Sequence, residues 1–331
     1  MLLFLCLLTG LVAAAIVFQT VATRFDAIRL PPPGKLIDIP NGVLHFQQIG
    51  NEGPAVVLES GLAATSLSWV LTRAEIGSFA RAITYDRSGL GFSKPSKGPH
   101  SLAQMLTDLH DLALAAHLPR PFILVGHSFG GLLVQAYAHL RPEDVAGLVL
   151  VDPVSIAEWS NPAASSRQRL ALGAKLCRRG AWLAHFGLVR ASLLALASGG
   201  RRLPSLIGRV TAGKGNSVMA RLAGEVAKLP KETHPVIRAH WSRPSSFGKL
   251  AQYLDNLPTA AQTALQMPVP LHIPIIILSA STATPAELAE REAWIRNRPR
   301  SRHTVIEKTS HWIQLDRPDA VIAAVRELVH R

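Results

Sequence analysis

Gly126-His-Ser-Phe-Gly-Gly131 stands between the apolar run Phe122-Ile-Leu-Val125 and the helix-spaced stretch Leu132-Leu-Val-Gln-Ala-Tyr-Ala138. It is the G-x-S-x-G pattern in a strand, turn and helix setting. The spacing answers a steric demand. A serine carried on a sharp turn brings the strand and helix backbones together, so the flanking positions, Gly126 and Gly130, tolerate almost no side chain. An ordinary glycine-rich turn satisfies the same five letters, and the surroundings have to decide between the two readings.

Working outward, apolar β-type runs alternate with helical patterns. Lys35-Leu-Ile-Asp-Ile39 and Val43-Leu-His-Phe-Gln47 form a strand pair joined through Pro40-Asn-Gly42, a turn signal. Further strands are expected at Ala55-Val-Val-Leu-Glu59, Ala82-Ile-Thr-Tyr85, Phe122-Ile-Leu-Val125, Gly147-Leu-Val-Leu-Val151, Ile273-Pro-Ile-Ile-Ile-Leu278 and His303-Thr-Val-Ile306. Bare apolar runs suit strands covered on both faces. Leu102, Met105, Leu106, Leu109, Leu112 and Ala113 recur at helical spacing, and residues 319–330 form a further helix. The alternation implies an α/β fold with a mostly parallel central sheet and right-handed crossovers.

Residues 155–265 break this rhythm: the stretch is rich in Ala, Leu, Arg and Gly, holds no comparable β run, and reads as several short helices inserted as a lid. The α/β core is thereby divided into 35–154 and 266–331. Charge is concentrated in the insertion. The chain of 331 residues has a net charge of +13, and residues 155–260 hold 16 Lys and Arg against 4 Asp and Glu, or +12 of it. Such a surface can steer an anionic substrate or lie against anionic lipid headgroups. No nucleic-acid-binding motif accompanies it.

Residues 1–23 are almost entirely apolar, with Arg24 the first charged side chain. As a helix, residues 2–21 extend about 30 Å, the thickness of a bilayer core. A membrane anchor is expected; a cleaved signal peptide, which would leave a secreted or periplasmic protein, is the alternative. The segment lacks a basic n-region and is longer than an ordinary h-region. Arg24, Arg29 and Lys35 follow it, which by the positive-inside rule favours a cytoplasmic catalytic domain. Residues 24–34, ending in Pro31-Pro-Pro-Gly34, are expected to be a stiff linker. Two cysteines, Cys6 and Cys177, make neither a disulfide framework nor a metal spacing, and no cofactor motif is present. Oligomeric state is not legible in the sequence.

Five blocks together resemble a lidded α/β-hydrolase of the esterase/lipase and C–C hydrolase type: Glu59-Ser-Gly-Leu62, Tyr85-Asp-Arg-Ser-Gly-Leu-Gly-Phe-Ser93, Gly126-His-Ser-Phe-Gly-Gly131, Leu148-Val-Leu-Val-Asp-Pro153 and Ser310-His-Trp-Ile-Gln-Leu-Asp-Arg-Pro318. The resemblance covers nearly everything from Lys35 onward. It implies Ser128 as nucleophile and His311, in the loop after the last strand, as its base, because a serine needs a base and the base an orienting acid. His45 and His303 fall in strand patterns, His110, His117 and His139 on helix surfaces or ends, and His127 is expected to point away. Many relatives carry the acid after the strand corresponding to Ile273-Pro-Ile-Ile-Ile-Leu278, where this chain has Ser279-Ala-Ser-Thr-Ala-Thr-Pro285. Asp152, at the end of the strand following the elbow helix, is the candidate instead; Glu287 is the other. An aspartate at a strand end can also simply fix a turn.

The resemblance further implies an oxyanion hole from the backbone amides of Phe129 and Leu62. Asp86 and Arg87 are expected to buttress that loop without chemistry. Epoxide hydrolases and haloalkane dehalogenases of this kind carry aspartate where Ser128 stands. The expected function is a serine hydrolase acting on a carboxylic ester or related small-molecule acyl compound, without cofactor or metal. Two alternatives stay open: a C–C hydrolase or acyltransferase, and a hydrolase-fold binding protein with little turnover.

Overall fold

The computed structural model describes residues 1–96, 100–198 and 224–331. Eight strands form one sheet: β1 (Lys35–Ile39), β2 (Gly42–Ile49), β3 (Ala55–Glu59), β4 (Arg81–Tyr85), β5 (Phe122–His127), β6 (Val145–Val151), β7 (Ile275–Ala280) and β8 (Arg302–Ile306). Their order is β1-β2-β4-β3-β5-β6-β7-β8. β1 with β2 and β2 with β4 pair antiparallel, and the remaining pairs are parallel.

Packing explains why the central strands read as unbroken apolar runs. β3, β5 and β7 are buried along their whole length. Alternate residues Val56, Leu58, Ile123, Val125, Val149 and Val151 share one face, packed with Val321 and Val325 of the helix Pro318–Val329. Helix Phe129–Leu140 is buried over ten consecutive residues, from Phe129 to Ala138. β7 begins at Ile275, later than the expected Ile273, because Pro274 offers the ladder an acceptor but no donor; its carbonyl takes the Leu148 N–H at 2.9 Å.

Register sets where the chemistry sits. Glu59 lies opposite Gly126, His127 opposite Val151, and Val151 opposite Leu278. Ser60, Ser128 and Asp152 therefore leave the sheet along one carboxyl edge, with Ser279 near the end of the β7–β8 ladder beside them, the edge at which open α/β sheets build their sites.

The chain forms two compact units, Pro33–Ala163 with Asn256–Arg331, and Met1–Pro32 with Ala164–Asp255. The first holds the sheet. The second is helical in its described residues, with helices Leu2–Arg29, Ala164–His185, Leu188–Ala197 and His234–Trp241 around Leu183, Ala184, Val189 and Phe247. The insertion holds the short helices expected, Ile156–Ser160, Leu188–Ala197 and His234–Trp241, but also two long ones, Ala164–His185 and Pro244–Leu265, each of 22 residues. Ala, Leu, Arg and Gln carry them through the isolated glycines. The glycine- and serine-rich residues 199–217 and the basic Arg201, Arg202, Arg209, Lys214 and Arg221 lie outside the described residues.

The N-terminal helix does not stop at residue 23. It continues to Arg29, so part of the expected linker is helical; nothing in residues 24–29 breaks a helix, and Pro31 ends it.

Candidate active site

The turn after β5 carries Ser128 at φ 54° and ψ −118°, the strained conformation the glycine pattern anticipates. Ser128 N–H donates to Val151 O at 3.0 Å, tying the turn to β6. The crowding is measurable at the flanking positions. A Cβ on Gly126 would come within 2.6 Å of Gly130 O, one on Gly130 within 2.6 Å of both Glu59 O and Ser60 O, and one on Gly131 within 2.9 Å of Pro153 Cβ. Ser128 itself is 8% exposed.

Asp152 leaves β6 at φ 42°, with its N–H on Leu278 O at 2.7 Å. Both carboxylate oxygens are engaged. Oδ2 accepts from His311 Nδ1 at 2.7 Å; Oδ1 accepts from Ala280 N–H at 3.1 Å and from Arg291 Nη1 at 2.9 Å. Burial pushes the Asp152 pKa up, but the hydrogen bond and charge of His311, the Arg291 guanidinium and the Ala280 amide outweigh it and hold the carboxyl at about 2. With Nδ1–H given to Asp152, His311 keeps the lone pair of Nε2 for a proton.

His311 sits in the loop after β8, held at its backbone. Its carbonyl accepts from His127 Nε2 at 2.9 Å, and the two rings lie 4.8 Å apart. His127 therefore does not point away as its sequence position suggested; it bridges the elbow to the histidine loop. Burial, then the nearby His311, lowers its pKa to about 3, so it is a neutral donor. Ser310 fastens the same loop, giving its N–H and hydroxyl to Asp316 Oδ2 at 2.8 and 2.7 Å.

Glu287 is elsewhere. Its carboxylate accepts from Thr284 N–H at 2.7 Å and closes a capping box on the helix Pro285–Ile295. The same helix supplies a residue that sequence reasoning missed. Arg291, 7% exposed, donates to Asp152, to Ser279 Oγ at 2.7 Å and to Pro153 O at 2.7 Å. Ser279 Oγ in turn lies 2.7 Å from His303 Nε2.

The loop after β3 passes beside the elbow: a Cβ on Gly61 would lie 3.6 Å from Ser128 Cβ and 2.9 Å from His127 Nδ1. Arg87 sets its peptide planes, donating to Ser60 O at 2.7 Å, to Gly61 O and to the buried Glu59 carboxylate, which Tyr85 also reaches. Since peptides are trans and planar, a Gly61 carbonyl turned toward Arg87 turns the Leu62 N–H away from it. Asp86 anchors the loop's far side, accepting from Ser66 N–H at 2.7 Å and Phe92 N–H at 3.0 Å. Phe129 follows Ser128 directly and opens the elbow helix, which sets its N–H at the helix N-terminus.

A cavity of about 240 Å³ opens behind Asp152, lined by Pro153, Val154, Gln135, Met267, Arg291 and Trp294. Neither Ser128 nor His311 lines it. Among the described residues no cluster of three His, Cys, Asp or Glu side chains could hold a metal ion.

With this geometry in hand, the kinship of the chain is specific. The sequence model described as "Alpha/beta hydrolase family" matches residues 56–324. The chain is 33% identical over 104 residues to protein YqjL of Bacillus subtilis (strain 168), covering 31% of this chain and 41% of that protein. It is 37% identical over 100 residues to "Putative carbamate hydrolase RutD" of Klebsiella pneumoniae (strain 342), covering 30% and 37%. The chain thus spans less than half the length of these two relatives. The thermophilic esterase from Thermogutta terrifontis superposes with a TM-score of 0.59 at 21% identity, over 89% of this chain and 98% of that one, a likeness of fold alone.

Proposed function

The chain belongs to the alpha/beta hydrolase family, and on that premise we propose that it is a serine hydrolase acting on a carboxylic ester or related acyl compound. One observation carries the reading: His311 Nδ1 meets Asp152 Oδ2 at 2.7 Å on the same carboxyl edge as the strained Ser128.

In the proposed cycle Ser128 Oγ attacks the acyl carbon as its proton passes to His311 Nε2. Asp152 holds the His311 tautomer and stabilises the imidazolium without taking the proton. The amides of Phe129 and Leu62 receive the oxyanion, each donor being worth about 3 kcal/mol of barrier. His311 then returns the proton to the leaving group. Water, deprotonated by the same imidazole, attacks the acyl-enzyme, and Ser128 recovers its proton as the acid departs.

The helix Leu2–Arg29 is long and apolar enough to cross a membrane and is almost wholly exposed along its apolar stretch. We take residues 2–21 as a membrane anchor, and the basic residues that follow favour a cytoplasmic catalytic domain.

The test is hydrolysis of p-nitrophenyl esters of increasing acyl length, with a p-nitrophenyl carbamate beside them because of the likeness to the RutD protein. Full-length protein in detergent is compared with Ser128→Ala. Turnover lost in the variant supports the serine mechanism, and the preferred acyl length sizes the pocket. Turnover unchanged in Ser128→Ala would sink it.

A further inference from the structure

The N-terminal helix changes character along its length. Leu2, Leu3, Phe4, Leu7, Leu8, Leu11 and Val17 are all exposed. From Phe18 onward one face is taken up by other helices of the same unit. Gln19, 4% exposed, donates Nε2 to Ser242 O at 2.8 Å and accepts from Arg190 Nε at 3.0 Å. Arg190 continues to Asp26 Oδ2 at 2.6 Å and Thr23 Oγ1 at 3.2 Å. Gln19, Thr23 and Asp26 lie on one helical face, so the polar end of the apolar helix is fastened to the inserted segment by a buried cation.

Beside this junction the inserted helices turn sharply. Ala164–His185 and Leu188–Ala197 meet at 89° and together are long and apolar enough to enter a membrane. The bend falls at Gly187, φ 69°, where an added Cβ would touch Phe18 Cδ1 at 3.1 Å. Around it Trp182 is 62% exposed and packed edge-on to Phe186, with Leu188 and Phe18 exposed beside them and Leu194 further along. Scattered exposed leucines need no explanation, but here the bend that carries Trp182, Phe186 and Leu188 abuts Phe18 of a bare apolar helix.

Depth follows from helix geometry. At 1.5 Å per residue, residues 2–21 fill a bilayer core of about 30 Å, so the membrane boundary falls at Val21, within about one helical turn of Phe18. The bend touches Phe18 and comes to that level. Tryptophan is the side chain that settles among headgroups, apolar body inward and N–H outward. Arg167, Arg169, Lys175, Arg178 and Arg179 precede Trp182 on the same inserted helix, Arg178 paired with Asp255, and Arg24 lies beyond the boundary, a distribution that suits anionic lipid.

We propose that the inserted helical segment is itself a membrane-seated element: the bend at Gly187 places Trp182 and Leu188 in the headgroup region of an anionic bilayer, with the N-terminal helix as the spanning member of the same unit. The inference rests on the anchor reading, and the experiment separates the two. Full-length protein is reconstituted in phosphatidylglycerol vesicles whose phosphatidylcholine is brominated or not, and Trp182→Phe is measured alongside. The Trp182 emission, taken as wild type minus variant, is expected to drop about twofold or more with brominated lipid. Equal emission in both vesicles overturns the proposal. Alkaline carbonate extraction and the intact mass of the N-terminus report the anchor independently. An intact, carbonate-resistant protein with unquenched Trp182 leaves the anchor standing and removes the seated bend. A cleaved N-terminus with quenched Trp182 does the reverse.

Discussion

Arg291 Nη1 and Asp152 Oδ1 meet at 2.9 Å with both side chains buried, so the carboxylate that faces His311 is held from behind by a cation on the helix after β7. Relatives that carry their acid after β7 bring it to the histidine from that strand. Here Asp152 comes from β6, and Arg291 with Ser279 occupies the β7 side. We infer that Arg291 is a positioning residue: it fixes the carboxylate's rotation and leaves Oδ2 to His311. Arg291→Gln strands a buried carboxylate, and the expected loss is about 3 kcal/mol in urea unfolding. A kcat about tenfold to a hundredfold lower at unchanged KM is expected beside it. Arg291→Lys, with charge but no fork, should fall between. Wild-type kcat in Arg291→Gln would remove the positioning role.

The two acid candidates separate cleanly. On the proposed mechanism, Asp152→Asn leaves His311 without an acceptor for its Nδ1 proton and is expected to lower kcat about ten-thousandfold, the scale seen in serine triads. Glu287→Gln removes only a helix cap, costing about 1 kcal/mol with kcat unchanged. Steady-state kinetics with thermal melts on both variants decides between them; equal turnover in Asp152→Asn and wild type would reject the assignment.

How much of this was legible in the sequence depends on what kind of signal each residue leaves. The central strands β3, β5 and β7 stand out because doubly covered strands are bare apolar runs between turn signals, whereas the half-exposed β1 and β2 are marked by the Pro40-Asn-Gly42 turn between them. Ser128 is marked by the glycines its turn requires. His311 and Asp152 carry no local signature, and the family's order of blocks pointed to them; the structure brings their side chains together. Arg291 was invisible, because Glu287 and Arg291 at i and i+4 look like an exposed helix pair. The bridging role of His127 was hidden for another reason: its partner is a backbone carbonyl 184 residues away, and backbone groups have no sequence identity. The length of the inserted helices escaped because isolated glycines such as Gly180 read as breaks, whereas there the missing Cβ admits the Phe247 ring.

The depressed pKa of His127 has a consequence for stability. In the fold it titrates near 3, well below its ordinary 6.5. Below pH 6.5 the unfolded chain takes up a proton that the buried ring refuses, so stability falls as pH falls from 6.5 toward 3. At pH 5 the contribution approaches about 2 kcal/mol. His127→Gln keeps an N–H for His311 O and does not titrate. Urea unfolding at pH 7 and pH 5 is expected to show a smaller pH-dependent loss in the variant, with the other histidines and Asp152 cancelling in the difference. An identical loss in both proteins would mean that His127 is not the group refusing the proton.

Arg87 is the last link, and its role is directional. Its guanidinium takes the carbonyls of Ser60 and Gly61 and neutralises Glu59, whose burial raises its pKa. With the Gly61 carbonyl pinned, the Leu62 N–H has one direction left, and Gly61 abuts Ser128. Arg87→Gln frees that peptide to turn and removes the countercharge from a buried acid. We expect kcat to fall about a hundredfold, the scale of losing one oxyanion donor, and stability to drop by about 3 kcal/mol. A purely structural loss would depress the folded fraction and leave kcat per folded molecule intact. The measurement is therefore kcat normalised to active sites titrated with a fluorophosphonate, which counts the molecules whose Ser128 still reacts. Normalised kcat equal to wild type would confine Arg87 to stability; a deficit with KM unchanged would support its acting through the proposed oxyanion donor, the Leu62 N–H.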